Sequence, residues 1–402
     1  MEIRSFEWRY IGWLAMVAVL ALVIAACGGG SSSSSSSTGG GEPAETEGSE
    51  SKEGAAEEGA ESSGGVDLAA LEKSVNEHIK YGPIGPTVPI EKPVPANTST
   101  VFINCGAPAC VSFEKAYNEA AGVLGIEVEN ITVEPTPASI QSGFSEAVRR
   151  KPAAVITSGF AIEQYPKQAK ELNELEIPII SNTGTDPSTY NPKEGVTLQL
   201  QETDEVSEAA ELMADKALVD AGGEGEFVAV NLSGYPSVAI QVKAFEEHLK
   251  AECPECTVNH LDIQPTSLGK DAPTIVANYV RSHSGIKGIY FGYDGIALGL
   301  SAAFKSAGIT PPATYAWAPD EPGVQELQNE ELTAGVPLGY PETGWQFADA
   351  VARFVTGGNI KDSKPVGPYV LWSKQFENVP SNPKDLFANP NYKKEFEKLW
   401  GK

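Results

Sequence analysis

Basic residues are scarce in this chain of 402 residues: 29 Lys and Arg stand against 54 Asp and Glu, for a formal net charge of −25. Nucleic-acid phosphates need a basic surface, so the balance excludes a nucleic-acid partner. Histidine and sulfur are sparse as well, with 4 His, 3 Met and 5 Cys. The signatures of common catalytic machinery are missing. There is no Gly-x-Ser-x-Gly elbow and no His-Glu-x-x-His pair, and Gly222-Gly223-Glu224-Gly225 follows a helical pattern rather than a strand, which makes it a turn and not a nucleotide loop. The many carboxylates form no recognisable acid–base couple. The expectation is a protein without catalytic residues, cofactor or resident metal. Beyond residue 26 no apolar run is long enough to cross a bilayer.

One apolar run does exist, at the start. Arg4 and Arg9 precede Ile11 to Ala26, which ends in Leu22-Val23-Ile24-Ala25-Ala26-Cys27 beside a Gly/Ser tract. This resembles a bacterial lipoprotein signal, and the resemblance implies cleavage before Cys27 and lipidation of Cys27. An ordinary membrane anchor is the alternative, although the run is shorter than the ~20 residues a span needs. Residues 1–27 are therefore read as the signal, and the exported chain as anchored to the outer face of the cytoplasmic membrane or periplasmic. Residues 28–65 are almost entirely Gly, Ser, Glu, Ala and Thr, with eight Glu and one Lys. Such a stretch buries too little apolar surface to offset its chain entropy, so it is expected to be a disordered linker.

An arm follows over 66–97. Asp67 precedes a helical stripe of Leu68, Leu71, Val75 and Ile79, and the prolines from Pro83 to Pro95 then hold the chain extended. From Ser99, short apolar runs and helical patterns alternate. Strands are expected at 100–105, 126–133, 153–158 and 177–181, with helices at 112–124, 137–150 and 161–175. After the alternating run Val196 to Gln201 the pattern repeats: helix 204–221, strand 226–232, helix 236–251, strand 257–263, helix 272–283. Next comes a strand through Ile289, Tyr290 and Phe291, then a helix on which Leu298, Ala302 and Phe304 share a face, with Asp294 placed as its cap and Gly308 as its end. Strands near 313–318 and 333–338, helix 342–356 and strand 368–373 complete the chain. Two successive doubly wound α/β units with a cleft between them are the implied fold class.

Gly-Tyr-Asp-Gly-Ile-Ala-Leu-Gly at 292–299, Ile-Pro-Ile-Ile-Ser-Asn at 177–182, and Ala334 to Gly339 before helix 342–356 resemble the type I periplasmic binding proteins of the ribose and galactose kind. The resemblance covers Thr98 to Trp372. It implies two Rossmann-like lobes, a three-crossover hinge with crossings near 200, 318 and 339, and closure around a small solute that an ABC importer's permease then receives. Lobe 1 would comprise 98–200 and 340–367, lobe 2 would comprise 201–339 and 368–376, and 377–402 would be a C-terminal tail. The chain departs from the sugar-binding pattern at Tyr293, where the family carries Asn. It has no Arg in 234–241, and Leu338 stands where Gln is expected. These departures point away from ribose.

In open α/β sheets ligands settle at the carboxyl ends of the strands. The candidates there are Asn104, Phe160, Asn182, Tyr235, Tyr293, Asp294, Trp317, Asp320 and Tyr340, with Ser158 beside them. Aromatic faces stack on rings, and Asn or Asp fix hydroxyls. No Arg lies in these loops, which favours an uncharged polyol, a nucleoside or a small cation over a phosphate or carboxylate. Each has a structural alternative: a helix cap for Asp294, hinge packing for Trp317 and Tyr340, an exposed loop for Tyr235. With Cys27 lipidated, Cys105 and Cys110 can pair beside the first strand, and Cys253 and Cys256 after a helix. The rival for the second pair is zinc held with His248 and His260. The function expected is capture of a small polar, sugar-like solute for an ABC-type importer; a ligand-sensing receptor of the same fold and a secreted hydrolase are the alternatives.

Overall fold

The computed structural model describes residues 65–182, 195–200, 203–364 and 370–402. The expected signal with Cys27, and the linker up to residue 64, lie outside the described residues. In the arm, Asp67 accepts a hydrogen bond from Ala70 N–H at 3.1 Å and starts α1 (Leu68–Glu77), which buries Leu71 and Val75. His78 ends that helix, so Ile79 lies beyond the stripe on which it was expected.

Two parallel sheets follow. β1 (Ser99–Asn104), β2 (Glu127–Thr132), β3 (Ala154–Thr157), β4 (Ile179–Ser181) and β5 (Leu198–Gln199) are linked through α2 (Pro108–Leu124), α3 (Pro137–Arg150) and α4 (Pro166–Glu174). They pair in the order β2-β1-β3-β4-β5. After α5 (Thr203–Ala221) come β6 (Glu226–Leu232), β7 (Thr257–Ile263), β8 (Ile286–Phe291), β9 (Ala313–Trp317) and β10 (Ala334–Val336), with α6 (Pro236–Glu252), α7 (Ala272–Ser282), α8 (Leu300–Ala307) and α9 (Glu321–Gln328) between them. Their order, β7-β6-β8-β9-β10, repeats that of the first sheet. The sequence explains which strands are central. β3, Ala-Val-Ile-Thr, is buried throughout, as a strand covered on both faces must be, whereas the edge strands β2 and β7 alternate polar with apolar residues and are half exposed.

Several expectations need correction. The chain does not leave the second sheet near 318: β9 continues through α9 into β10, with Trp317 in register with Val336. It crosses after β10, into α10 (Tyr340–Thr356), which packs on α2 of the first half. The approach is close enough that a Cβ on Gly344 would lie 2.7 Å from Tyr117 N, so glycine is required there. Trp372 brings the chain back, but as one antiparallel bridge to Gly335 rather than the strand expected at 368–373, of which 368 and 369 lie outside the described residues. The helix expected from Leu298 begins only at Leu300, because Gly299 adopts φ 87° and breaks the turn. Asp294 therefore does not cap it, and Leu298 is exposed. α9 and α11 (Tyr392–Leu399) were not expected as helices.

The arm and the tail each reach both halves. Ser74 on α1 donates to Asp215 of α5 at 2.5 Å, while further along the arm Val88 C=O accepts from Arg353 of α10 at 2.6 Å. In the tail, Pro380 C=O accepts from Gln328 of α9 at 2.6 Å, and Trp400 at the end of α11 stacks on Trp345 of α10 with centroids 5.1 Å apart. Asp349 organises this junction. Its fully buried carboxylate accepts from Arg353 Nε at 2.7 Å, Ser363 Oγ at 2.6 Å and Trp400 Nε1 at 2.8 Å. Nearby, Glu342 accepts from Asn389 N–H at 2.5 Å while its Oε2 is buried without a partner, and burial above all pushes its carboxyl up to about 8.

Removing one partner of a buried ion pair strands the other. Asp349→Ala should therefore cost about 3–5 kcal/mol in urea unfolding, and a loss below 1 kcal/mol would contradict the role given to that carboxylate. Glu342 predicts a pH dependence of opposite sign to that of most acidic groups. Its folded-state pKa lies above its unfolded one, so the folded chain binds the extra proton and stability falls as pH rises from about 4.5 to 8. Glu342→Gln should flatten that part of the stability–pH curve and raise the melting temperature at pH 8.

Candidate functional site

The carboxyl ends of both sheets converge on one cavity, with about 90 Å³ of space reachable by the centre of a water molecule. The first half contributes Ser158 and Gly159 beyond β3, Asn182 beyond β4, and the β1–α2 turn from Cys105 to Phe113. The second contributes Leu232, Tyr235 and Val238 around the β6–α6 junction, Tyr293 beyond β8 and Trp317 at the end of β9. Leu338 and Tyr340, on the link into α10, close it.

Five of the expected residues thus line the one cavity: Asn182, Tyr235, Tyr293, Trp317 and Tyr340. Their roles differ. Tyr340 O–H donates to Ala318 C=O at 2.6 Å, which holds the ring against the link. Asn182 Oδ1 is buried and has no hydrogen-bond partner, a costly arrangement unless something else supplies a donor. Burial raises the phenol pKa of Tyr235 and Tyr293, the latter further through Asp294 and Asp320, so both rings are neutral hydrogen-bonding groups at physiological pH.

The other four do not line the cavity. Asn104 shapes the turn beneath it, donating to Glu114 Oε2 at 2.6 Å and accepting from Gly106 N–H at 2.7 Å. Phe160 is buried in the core of the first half, edge-on to Phe144. Asp294 Oδ2 accepts from Asp320 N–H at 2.8 Å, and Asp320 in turn caps α9 by accepting from Gly323 N–H at 3.2 Å. Burial first, then the charge of Asp320, holds the Asp294 carboxyl well above the ordinary carboxylate range. Both aspartates secure the turns behind Tyr293.

Sequence reasoning missed the apolar share of the wall: Phe113, Leu232, Val238, Leu268 and Leu338. Leu232 ends a strand and Val238 lies in the first turn of the next helix, so the strand-end rule that selected Tyr235 would have reached them had it not been restricted to polar and aromatic side chains. The disulfide Cys105–Cys110 forms part of the wall itself, packed beside Gly159. Neither α2 nor α6, whose first turns border the cavity, is capped by a side chain, so backbone N–H groups at both helix starts are available as donors.

The second cysteine pair is Cys253–Cys256, and the histidines of the zinc alternative are engaged elsewhere: His248 Nε2 with Asp215 at 2.6 Å and His260 Nδ1 with Glu246 at 2.7 Å. Among the described residues no His, Cys, Asp and Glu group could hold a metal ion, and no helix is long and apolar enough to cross a membrane.

No protein-family model matches the chain, and neither does any curated protein sequence. Solved structures do. An ABC sugar transporter subunit from Rhodobacter sphaeroides is 18% identical, with a TM-score of 0.60 over 69% of this chain and 99% of that one. A periplasmic ribose ABC transporter protein from Conexibacter woesei is also 18% identical, with a TM-score of 0.58 over 72% and 96%. An ABC transporter periplasmic solute binding protein from Actinobacillus succinogenes with bound D-allose is 14% identical, with a TM-score of 0.59 over 70% and 99%. Together with the repeated strand order and the exchanged helix α10, these likenesses show that the chain has the type I periplasmic binding protein fold.

Proposed function

We propose that this protein is the solute-binding component of an ABC-type importer, lipid-tethered through Cys27 and capturing a small uncharged solute between its two halves. The observation that carries this reading is the cavity, walled from both halves and, among the described residues, lined by no charged side chain. A solute touching both walls favours the closed form by its differential affinity for closed over open, and the permease reads that closure. The neighbours' printed names, an ABC sugar transporter subunit and a periplasmic ribose ABC transporter, support the same general role. Against a secreted hydrolase, no described residue of the cavity wall can act as an acid–base pair or an activated nucleophile.

Thermal-shift screening of the full chain against sugars, polyols, nucleosides and amines tests the reading. A ligand present at a hundred times its Kd adds about 2.7 kcal/mol of stability, so one class should raise the melting temperature by several degrees. Leu232→Trp, which fills the cavity, should abolish that shift, while Asp320→Asn, outside the wall, should retain it. A shift that survives Leu232→Trp would place the binding site elsewhere. The tether is tested separately: radiolabelled fatty acid should be incorporated into the wild-type chain in a bacterial host and not into Cys27→Ser.

A further inference from the structure

The chemistry of the wall narrows the solute further, on the reading that this cavity is the binding site. A fully hydroxylated sugar brings a donor and an acceptor at almost every carbon, and each one buried without a partner is penalised. Among the described residues the wall offers few side-chain partners: the hydroxyls of Ser158, Ser237, Tyr235 and Tyr293, the Trp317 indole N–H and the Asn182 amide. The Tyr340 hydroxyl is already committed to Ala318 C=O. The remaining described side chains of the wall are apolar, among them Phe113, Leu232, Val238, Leu268 and the Cys105–Cys110 disulfide.

Charge points the same way. Among the described residues no Asp, Glu, Lys, Arg or His borders the space, so an ionised ligand would find no countercharge from them. The helix starts of α2 and α6 supply backbone N–H donors for an oxygen but not a full positive charge. One polar residue stands out: Asn182 lines the cavity together with Phe113, Tyr235, Tyr293, Trp317 and Tyr340, and its Oδ1 is buried and has no hydrogen-bond partner.

We propose that the cleft is built for an uncharged ring compound carrying few hydroxyls, an aromatic or alicyclic alcohol, whose O–H donates to Asn182 Oδ1 while the ring lies among Tyr235, Tyr293 and Trp317. The solute class is set by shortage of polar partners as much as by the aromatic faces. Sugars are then discriminated against by their own unsatisfied hydroxyls.

The experiment is a calorimetric titration of the full chain with benzyl alcohol, cyclohexylmethanol, toluene, benzoate, glucose, ribose and myo-inositol. The ring alcohols should bind at least tenfold more tightly than any of the sugars, myo-inositol or benzoate. Asn182→Leu should weaken benzyl alcohol about tenfold and leave toluene unchanged, so that the alcohol's advantage over toluene disappears. A merely structural asparagine would weaken both alike, and that result would overturn the role of Asn182. A sugar or myo-inositol binding more tightly than either alcohol, with Leu232→Trp abolishing it, would overturn the solute class while leaving the cleft as the site. Ring alcohols whose affinity is untouched by Leu232→Trp would overturn the cleft itself. Absence of heat with both ring alcohols at millimolar concentration would also overturn the proposal.

Discussion

The packing of α10 against α2 is the contact on which the rest of the molecule depends. Each sheet is hydrogen-bonded only within itself, so nothing in the strand ladders fixes one half to the other. α10 follows the last strand of the second sheet yet lies on a helix of the first, and a glycine at 344 is what allows the two backbones to meet. The link into that helix, Leu338 to Tyr340, also closes the cavity. The same few residues therefore link the two halves and form part of the cavity wall.

Around that contact the chain adds further ties. The arm and the tail each engage both halves, and both converge on the buried carboxylate of Asp349, through its partner Arg353 in one case and Trp400 in the other. A buried ion pair is weak evidence of net stability, since desolvation offsets the attraction. Its effect here is one of placement. With the guanidinium, a serine hydroxyl and an indole N–H sharing one carboxylate, the arm and the tail are both fixed to α10 around it. The cavity, by contrast, has no charged lining side chain among the described residues, so on the proposed reading its selectivity would rest on shape and on which hydrogen bonds can be made.

The sheets were legible because central strands read as short apolar runs and helices as stripes, and both signals are local. α9 escaped notice because Pro322 and Gly323 stand in its first turn, where proline is tolerated and glycine is needed to clear Asp294. α11 is mostly Lys and Glu, and its apolar residues make sense only once Trp345 is seen beside them. At the site, the aromatic residues at strand ends were legible, since position and chemistry agreed. Asp294 and Asp320 were ambiguous for a physical reason: a carboxylate at a strand-to-helix junction can accept from the next turn's N–H as readily as from a ligand, and sequence does not record which is nearer. Phe160 differs from Ser158 by two residues, but Gly159 at φ 83° turns the chain between them, so one borders the cavity and the other enters the core.

The central claim is that a solute held between the halves draws them together. Spin labels at exposed Glu134 of the first half and Lys270 of the second, with their separation measured by double electron–electron resonance, test it most directly. The account predicts a broad distribution of distances without solute that shortens and narrows when a binding solute saturates the cavity. An identical distribution with and without saturating solute would contradict it.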